Sequence, residues 1–403
     1  MHYIYARYLL YPVFLLAALF LLDKIFLLPA VRENFLQPGG MVYYYQRREQ
    51  IETLKQDLRA PAPGAMEHTL VVLGDSRSMA LGEMTLQPLA ERQPEYADWR
   101  IYNFSGPQAV PAYHLYLAER IFNGRYRPAY VVIGISPDGF NRNSGIMGSP
   151  VMNFGVSHEF IERHATHIPA RDMDTYNDTR RFALAGIGFS AKTLWLRLRG
   201  GYHGDETRTI LEQMRTQRES ATPVDSQARF AVAMQAMDLA SRETLNDYSL
   251  RESPQRHLLD ITRGAQYKWT GSMSDQNLRE ETERIARLYI SHFVVSHEQY
   301  YFLRQTIQLA RLSGARVLLF WPRMNPYLLR AMNATPAIAG IRERVTEIAR
   351  MEGAQIVDMN DDRILNCNDF YDASHLSVSC FPEMHRVILS RLTDRPLAVA
   401  ATR

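Results

Sequence analysis

A serine hydroxyl becomes a nucleophile only when a base takes its proton and amide donors receive the oxyanion that forms. Gly74-Asp75-Ser76-Arg77-Ser78 has residue types suited to this chemistry, directly after an apolar run and before a helical pattern. A strand-to-helix turn of this kind aims backbone N–H groups and a helix N-terminus at the space above the serine. Small and capping residues suit any such turn, so the motif alone specifies little. Its counterpart lies at the far end of the chain. In Tyr371-Asp372-Ala373-Ser374-His375-Leu376 an Asp stands three residues before a His. That spacing lets the carboxylate orient the imidazole through Nδ1 and leaves Nε2 for the serine. Taken alone, Asp372 can also be read as a helix N-cap beside a surface histidine.

The elements that must bring these segments together are short apolar runs at 69–73, 100–104, 129–134, 315–320 and 354–358. Each has the continuous apolar character of a strand buried on both faces of a parallel sheet. Helical patterns at 79–92, 109–123, 326–352 and 376–392 separate or follow them. This alternation predicts an α/β doubly wound fold of about five parallel strands, with ligands beyond the strands' carboxyl ends. Ser76 and the Asp372–His375 loop would then share one sheet edge. Residues 141–313 interrupt the alternation with helix-like stretches at 226–246 and 277–312, read as a helical insertion or cap whose Met and Tyr residues pack its interior.

With a Gly-Asp-Ser block after the first strand and Asp-x-x-His near the C-terminus, residues 68–140 and 314–392 resemble the SGNH or GDSL hydrolase superfamily. The resemblance implies a flavodoxin-like three-layer sandwich, catalysis by Ser76, Asp372 and His375, and no cofactor. It also implies oxyanion donors from the blocks after the second and third strands. Gly106 stands in the first of these; in the second, Gly134-Ile135-Ser136-Pro137-Asp138, Ser136 stands where the superfamily has an Asn donor. An ionised Asp138 would repel an oxyanion. Arg77, Asn103, Trp321 and Asn325 are expected on the same edge as substrate contacts, although Arg77 could instead hold carbonyls and the Trp321–Asn325 loop could simply pack. An N-terminal anchor and a long insertion make the chain most similar to the membrane-tethered extracytoplasmic branch, which includes the teichoic acid D-alanyl-transfer and alginate O-acetylation proteins. That branch implies a multispanning membrane acyltransferase as partner and a carbohydrate or glycolipid acceptor.

The anchor is read from Tyr8 to Leu22, apolar throughout, and a second apolar burst after Asp23-Lys24. Together they reach the roughly 20 residues that a membrane span needs. Arg7 favours a cytoplasmic N-terminus, and no Ala-x-Ala site follows, so an uncleaved signal anchor is expected. A buried core helix is the alternative. Cys367 and Cys380 bracket the Asp372–His375 loop and could form a disulfide, which would place the domain outside the reducing cytoplasm; two buried free thiols are the other reading. The resulting organisation is a cytoplasmic tip and anchor (1–40), a helical stalk (41–67), the first part of the α/β domain (68–140), the insertion (141–313) and the second part (314–403). A net charge of +3 with scattered arginines argues against nucleic acid. His164 and His167 could meet on one helical face, but no third metal ligand is near. The expected activity is acyl transfer or ester hydrolysis at the cell envelope, with acetyl as the default group. A non-catalytic glycan-binding or scaffold subunit is the competing reading.

Overall fold

A computed structural model describes residues 2–25, 28, 51–59 except 53, 67–122 except 107, 127–149, 152, 155–181 and 273–394. Strands β1 (Thr69–Leu73), β2 (Arg100–Asn103), β3 (Tyr130–Gly134), β4 (Arg316–Trp321) and β5 (Gln355–Asp358) form one sheet in the order β2-β1-β3-β4-β5. Every pairing is parallel. This is the order of flavodoxin-like doubly wound sheets.

Side chains alternate across the sheet because the strand period is two. Val71, Leu73, Val131, Ile133, Val317 and Leu319 enter one core; Leu70, Val72, Val132, Leu318 and Phe320 enter the other. Full burial of each stabilises the fold by about 1.5–3 kcal/mol. Helices α3 (Glu83–Ala90) and α11 (Phe381–Leu392) cover the second core. The first is covered by α4 (Pro111–Ile121), α8 (Glu298–Leu312) and α10 (Pro336–Met351). Thus α8, which the sequence reading places in the insertion, packs on α4 and β4 as a layer helix.

Two further expectations change. The helical pattern at 326–352 divides into α9 (Pro326–Asn333) and α10, because Pro336 lacks an N–H and pushes Thr335 into extended backbone. Part of the expected stalk is α2, helical at 51–52 and 54–59 and packed into the first core through Ile51, Leu54 and Leu58. Tyr102 Oη also donates to Asp57 there. Before β4, α7 (Asp275–Tyr289) buries Leu278 and Thr282 and packs against α9. The helices α5 (His158–Arg163) and α6 (Ala170–Arg181) begin the expected insertion. The helix expected at 226–246 lies outside the described residues.

At the N-terminus α1 spans His2–Ile25, with side chains described from Leu10 onward. Among the described residues no helix is long and apolar enough to cross a membrane. Lys24 pairs with Asp23 at 3.1 Å and donates to the Arg181 carbonyl, which ties the end of α1 to the end of α6.

Candidate active site

The turn after β1 is built by Asp75. Its extended backbone caps a short 3-10 turn at Ser76–Ser78, and its Oδ1 accepts the Arg77 amide at 2.9 Å. This places Ser76 at the head of the turn, at the carboxyl end of β1. Two glycines give the turn room. A Cβ on Gly74 would lie 2.4 Å from Ser78 Oγ, and one on Gly134 would lie 2.2 Å from the same atom. The β1 and β3 ends therefore close around Ser78 only because both lack side chains.

The loop between β5 and α11 supplies the other half. Asp372 Oδ1 accepts the Ser374 and His375 amides at 2.7 and 2.8 Å, curling the chain so that the His375 ring returns over the carboxylate. His375 Nδ1 lies 2.9 and 2.8 Å from the two Asp372 oxygens, and Nε2 lies 2.8 Å from Ser76 Oγ. Burial alone would raise the Asp372 carboxyl, but the His375 side chain and the two amides outweigh it and hold it below the ordinary carboxylate range. A disulfide joins Cys367 to Cys380, as the spacing allowed, and brackets this loop. The two sulfurs and Asp369 lie close together, but bonded sulfurs offer no thiolate to a metal.

The other expected site residues lie in and beneath the same edge. Arg77 is buried, and it donates to Asp75 at 2.8 Å, to Asp138 at 2.8 Å and to Ser136. Burial opposes its charge, yet the carboxylates of Asp138 and Asp75 prevail and hold its pKa above the ordinary value. Asp138 is thus ion-paired with Arg77, which it shares with Asp75. Ser136 Oγ, expected as an oxyanion donor, accepts from Arg77 and lies 3.4 Å from Asp138. Gly106, the other expected donor, spends its amide on the Gly74 carbonyl at 3.1 Å. By contrast, no acceptor is found for the Ser76 amide among the described residues.

Asn103 is buried as well, and its Nδ2 donates to the carbonyls of Ser78, Met79 and Leu81, latching the nucleophile turn to β2. Trp321 ends β4 at the correct edge but turns into the first core, with the Arg342 guanidinium 5.2 Å from its ring. Asn325 is fully buried and caps α9. Asn103, Trp321 and Asn325 are thus all buried and engaged with neighbouring parts of the scaffold. His164 bonds Glu119 at 2.8 Å, and His167 stacks on Tyr301 at 3.6 Å. Sequence reading missed Glu281 on α7, whose carboxylate accepts the Ala373 amide at 3.2 Å. No local signal links positions so far apart.

Fold and site together define a parallel α/β domain carrying a serine–histidine–aspartate relay on the carboxyl edge of its sheet. The chain belongs to the family described as "Protein of unknown function (DUF1574)", whose model matches residues 4–392. No curated protein matches its sequence.

Proposed function

We propose that the protein is a membrane-anchored, extracytoplasmic serine acyltransferase or esterase of SGNH type, acting on acyl groups, acetyl by default, of a cell-envelope carbohydrate or glycolipid. The observation that carries this reading is the unbroken chain from Ser76 Oγ through His375 to Asp372. In the first half-reaction the Ser76 hydroxyl proton passes to His375 Nε2 as Oγ bonds to the donor's carbonyl carbon. Collapse of the tetrahedral oxyanion breaks the ester bond, and His375 returns the proton to the departing oxygen. Water or a sugar hydroxyl then repeats the sequence on acyl-Ser76. Asp372, held ionised, stabilises the imidazolium that forms in both halves.

Anchoring is supported by α1, where Leu10, Tyr11, Val13, Phe14, Leu15, Leu16, Leu19 and Phe20 are all exposed. Such closely spaced positions cover every side of a helix and leave no polar face toward water. The disulfide supports a location outside the cytoplasm, where a multispanning membrane acyltransferase would deliver the donor. A second reading, a non-catalytic scaffold, is favoured by one observation: the Gly106 amide and Ser136 hydroxyl are both engaged elsewhere.

Treatment of the full chain in detergent with an activated fluorophosphonate, followed by intact-mass and peptide analysis, separates the two. One adduct on Ser76, abolished in Ser76→Ala, is expected. Absence of an adduct, together with full function of Ser76→Ala in cells, would favour the scaffold.

A further inference from the structure

We infer that Asn325 and Glu281 are positioning residues that grip the Ala373 peptide from both sides and so keep His375 in line with Ser76. Ala373 lies between the two triad members of the loop and is fully buried. Its amide donates to Glu281 Oε2 at 3.2 Å, and its carbonyl accepts from Asn325 Nδ2 at 2.5 Å. The two grips come from separate elements, α7 and the β4–α9 turn. Thr282, next to Glu281 on α7, donates to Asn325 Oδ1 at 3.3 Å and couples them. A further bond, from the Met273 amide to the Phe370 carbonyl at 2.7 Å, joins the approach to α7 to the start of the same loop.

The choice of Asn at 325 follows from this double duty. Its Oδ1 accepts the Tyr327 and Leu328 amides at 3.0 and 2.9 Å, as any N-cap side chain would. Those donors force the oxygen toward the helix and the amide nitrogen toward Ala373. Aspartate or serine could cap α9 equally well. Neither could donate to the Ala373 carbonyl, since a carboxylate has no proton to give and serine is too short. Capping and positioning can therefore be separated by substitution.

The inference rests on the acyl-serine reading, and the test keeps the two apart. Full-length Asn325→Asp, Asn325→Ser, Glu281→Ala and Glu281→Gln are compared with wild type for the rate of Ser76 modification by a fluorophosphonate. Both Asn325 variants should keep α9 folded by circular dichroism, yet lose roughly tenfold to a hundredfold in maximal modification rate, the scale of a small misplacement of a reacting group. The half-saturating probe concentration should not move. Glu281→Gln keeps an acceptor for the Ala373 amide and should recover most of the rate that Glu281→Ala loses. Wild-type protein that forms no Ser76 adduct overturns the acyl-serine reading and this inference with it. A wild-type adduct with unchanged rates in both Asn325 variants overturns the inference alone. It is likewise overturned if Glu281→Gln loses as much as Glu281→Ala, or if rate losses only track a fall in Tm.

Discussion

Replacing Arg77 by methionine removes a charge from directly beneath the nucleophile turn while keeping much of the side chain's bulk. In the native protein one guanidinium faces two carboxylates, Asp75 and Asp138, each at 2.8 Å. Arg77 and Asp75 side chains are both 8% exposed, whereas Asp138 is 33% exposed. Removing one partner of a buried pair costs about 3–5 kcal/mol, because the remaining charge is left unsolvated. Water reaches Asp138 and screens part of that term, so the lower end of the range applies. At about 2–4 °C per kcal/mol for a domain of roughly 150–250 residues, Tm should fall by some 6–12 °C. Adding Asp75→Asn and Asp138→Asn to Arg77→Met should restore much of the loss at neutral pH. Calorimetry at neutral pH and fluorophosphonate titration of all variants provide the assay. Unchanged Tm in Arg77→Met, coupled to a raised half-saturating probe concentration, would refute the reasoning and return Arg77 to the substrate.

Two further outcomes follow from the same structure. Changing Cys367 and Cys380 together to serine opens a loop closed over a separation of 13 residues, and about 3 kcal/mol of stability should be lost in urea denaturation. Ser76 modification should slow by more than the fraction unfolded accounts for, since the bond brackets His375; a loss that matches unfolding alone would argue against that coupling. His114 and His385 are buried, and burial pushes them down to about 4 and about 3. Unfolded histidine titrates near 6.5, so from roughly pH 6 down to pH 4 the unfolded chain holds more protons and stability falls as pH falls. His385→Gln, which keeps a polar partner for Thr85, should remove about 1.4 kcal/mol per pH unit from that slope. An unchanged slope would mean that His385 is already protonated in the folded protein.

The strands were legible because a strand buried on both faces must be apolar at every position, and few other local structures demand this. Val71-Val72 and Leu318-Leu319 satisfy it, and all five runs became strands within a residue or so of their expected ends. The triad geometry was legible for a related reason. Parallel strands discharge their chains at one edge, so Ser76 after β1 and His375 after β5 had to emerge on the same side. Side-chain direction was not legible. Arg77, Asn103, Trp321 and Asn325 all stand at that edge, and sequence position cannot distinguish a residue that points outward from one that fastens neighbouring turns beneath. The grip of Glu281 on Ala373 spans 92 positions and leaves no periodicity to read. The break between α9 and α10 was different, because Pro336 carried the signal openly.

This pattern has a physical cause. A nucleophile turn at the end of a buried sheet exposes several backbone carbonyls and amides, and buried polar groups must be satisfied. The polar residues nearest Ser76 meet that demand first: Asn103 takes three carbonyls, and Arg77 joins the β1 turn to the β3 turn. What remains for an oxyanion is correspondingly small. With Gly106 and Ser136 engaged, the Ser76 amide is a donor at the turn with no acceptor found among the described residues, and loss of one such donor costs on the order of a hundredfold or more in rate. A relay with good serine–histidine geometry but few oxyanion donors suits an activated or delivered acyl donor better than an ordinary ester in water. Within the proposed function, this asymmetry bears on the acyl donor rather than on the acceptor, because water and a sugar hydroxyl would both attack acyl-Ser76 through the same kind of oxyanion.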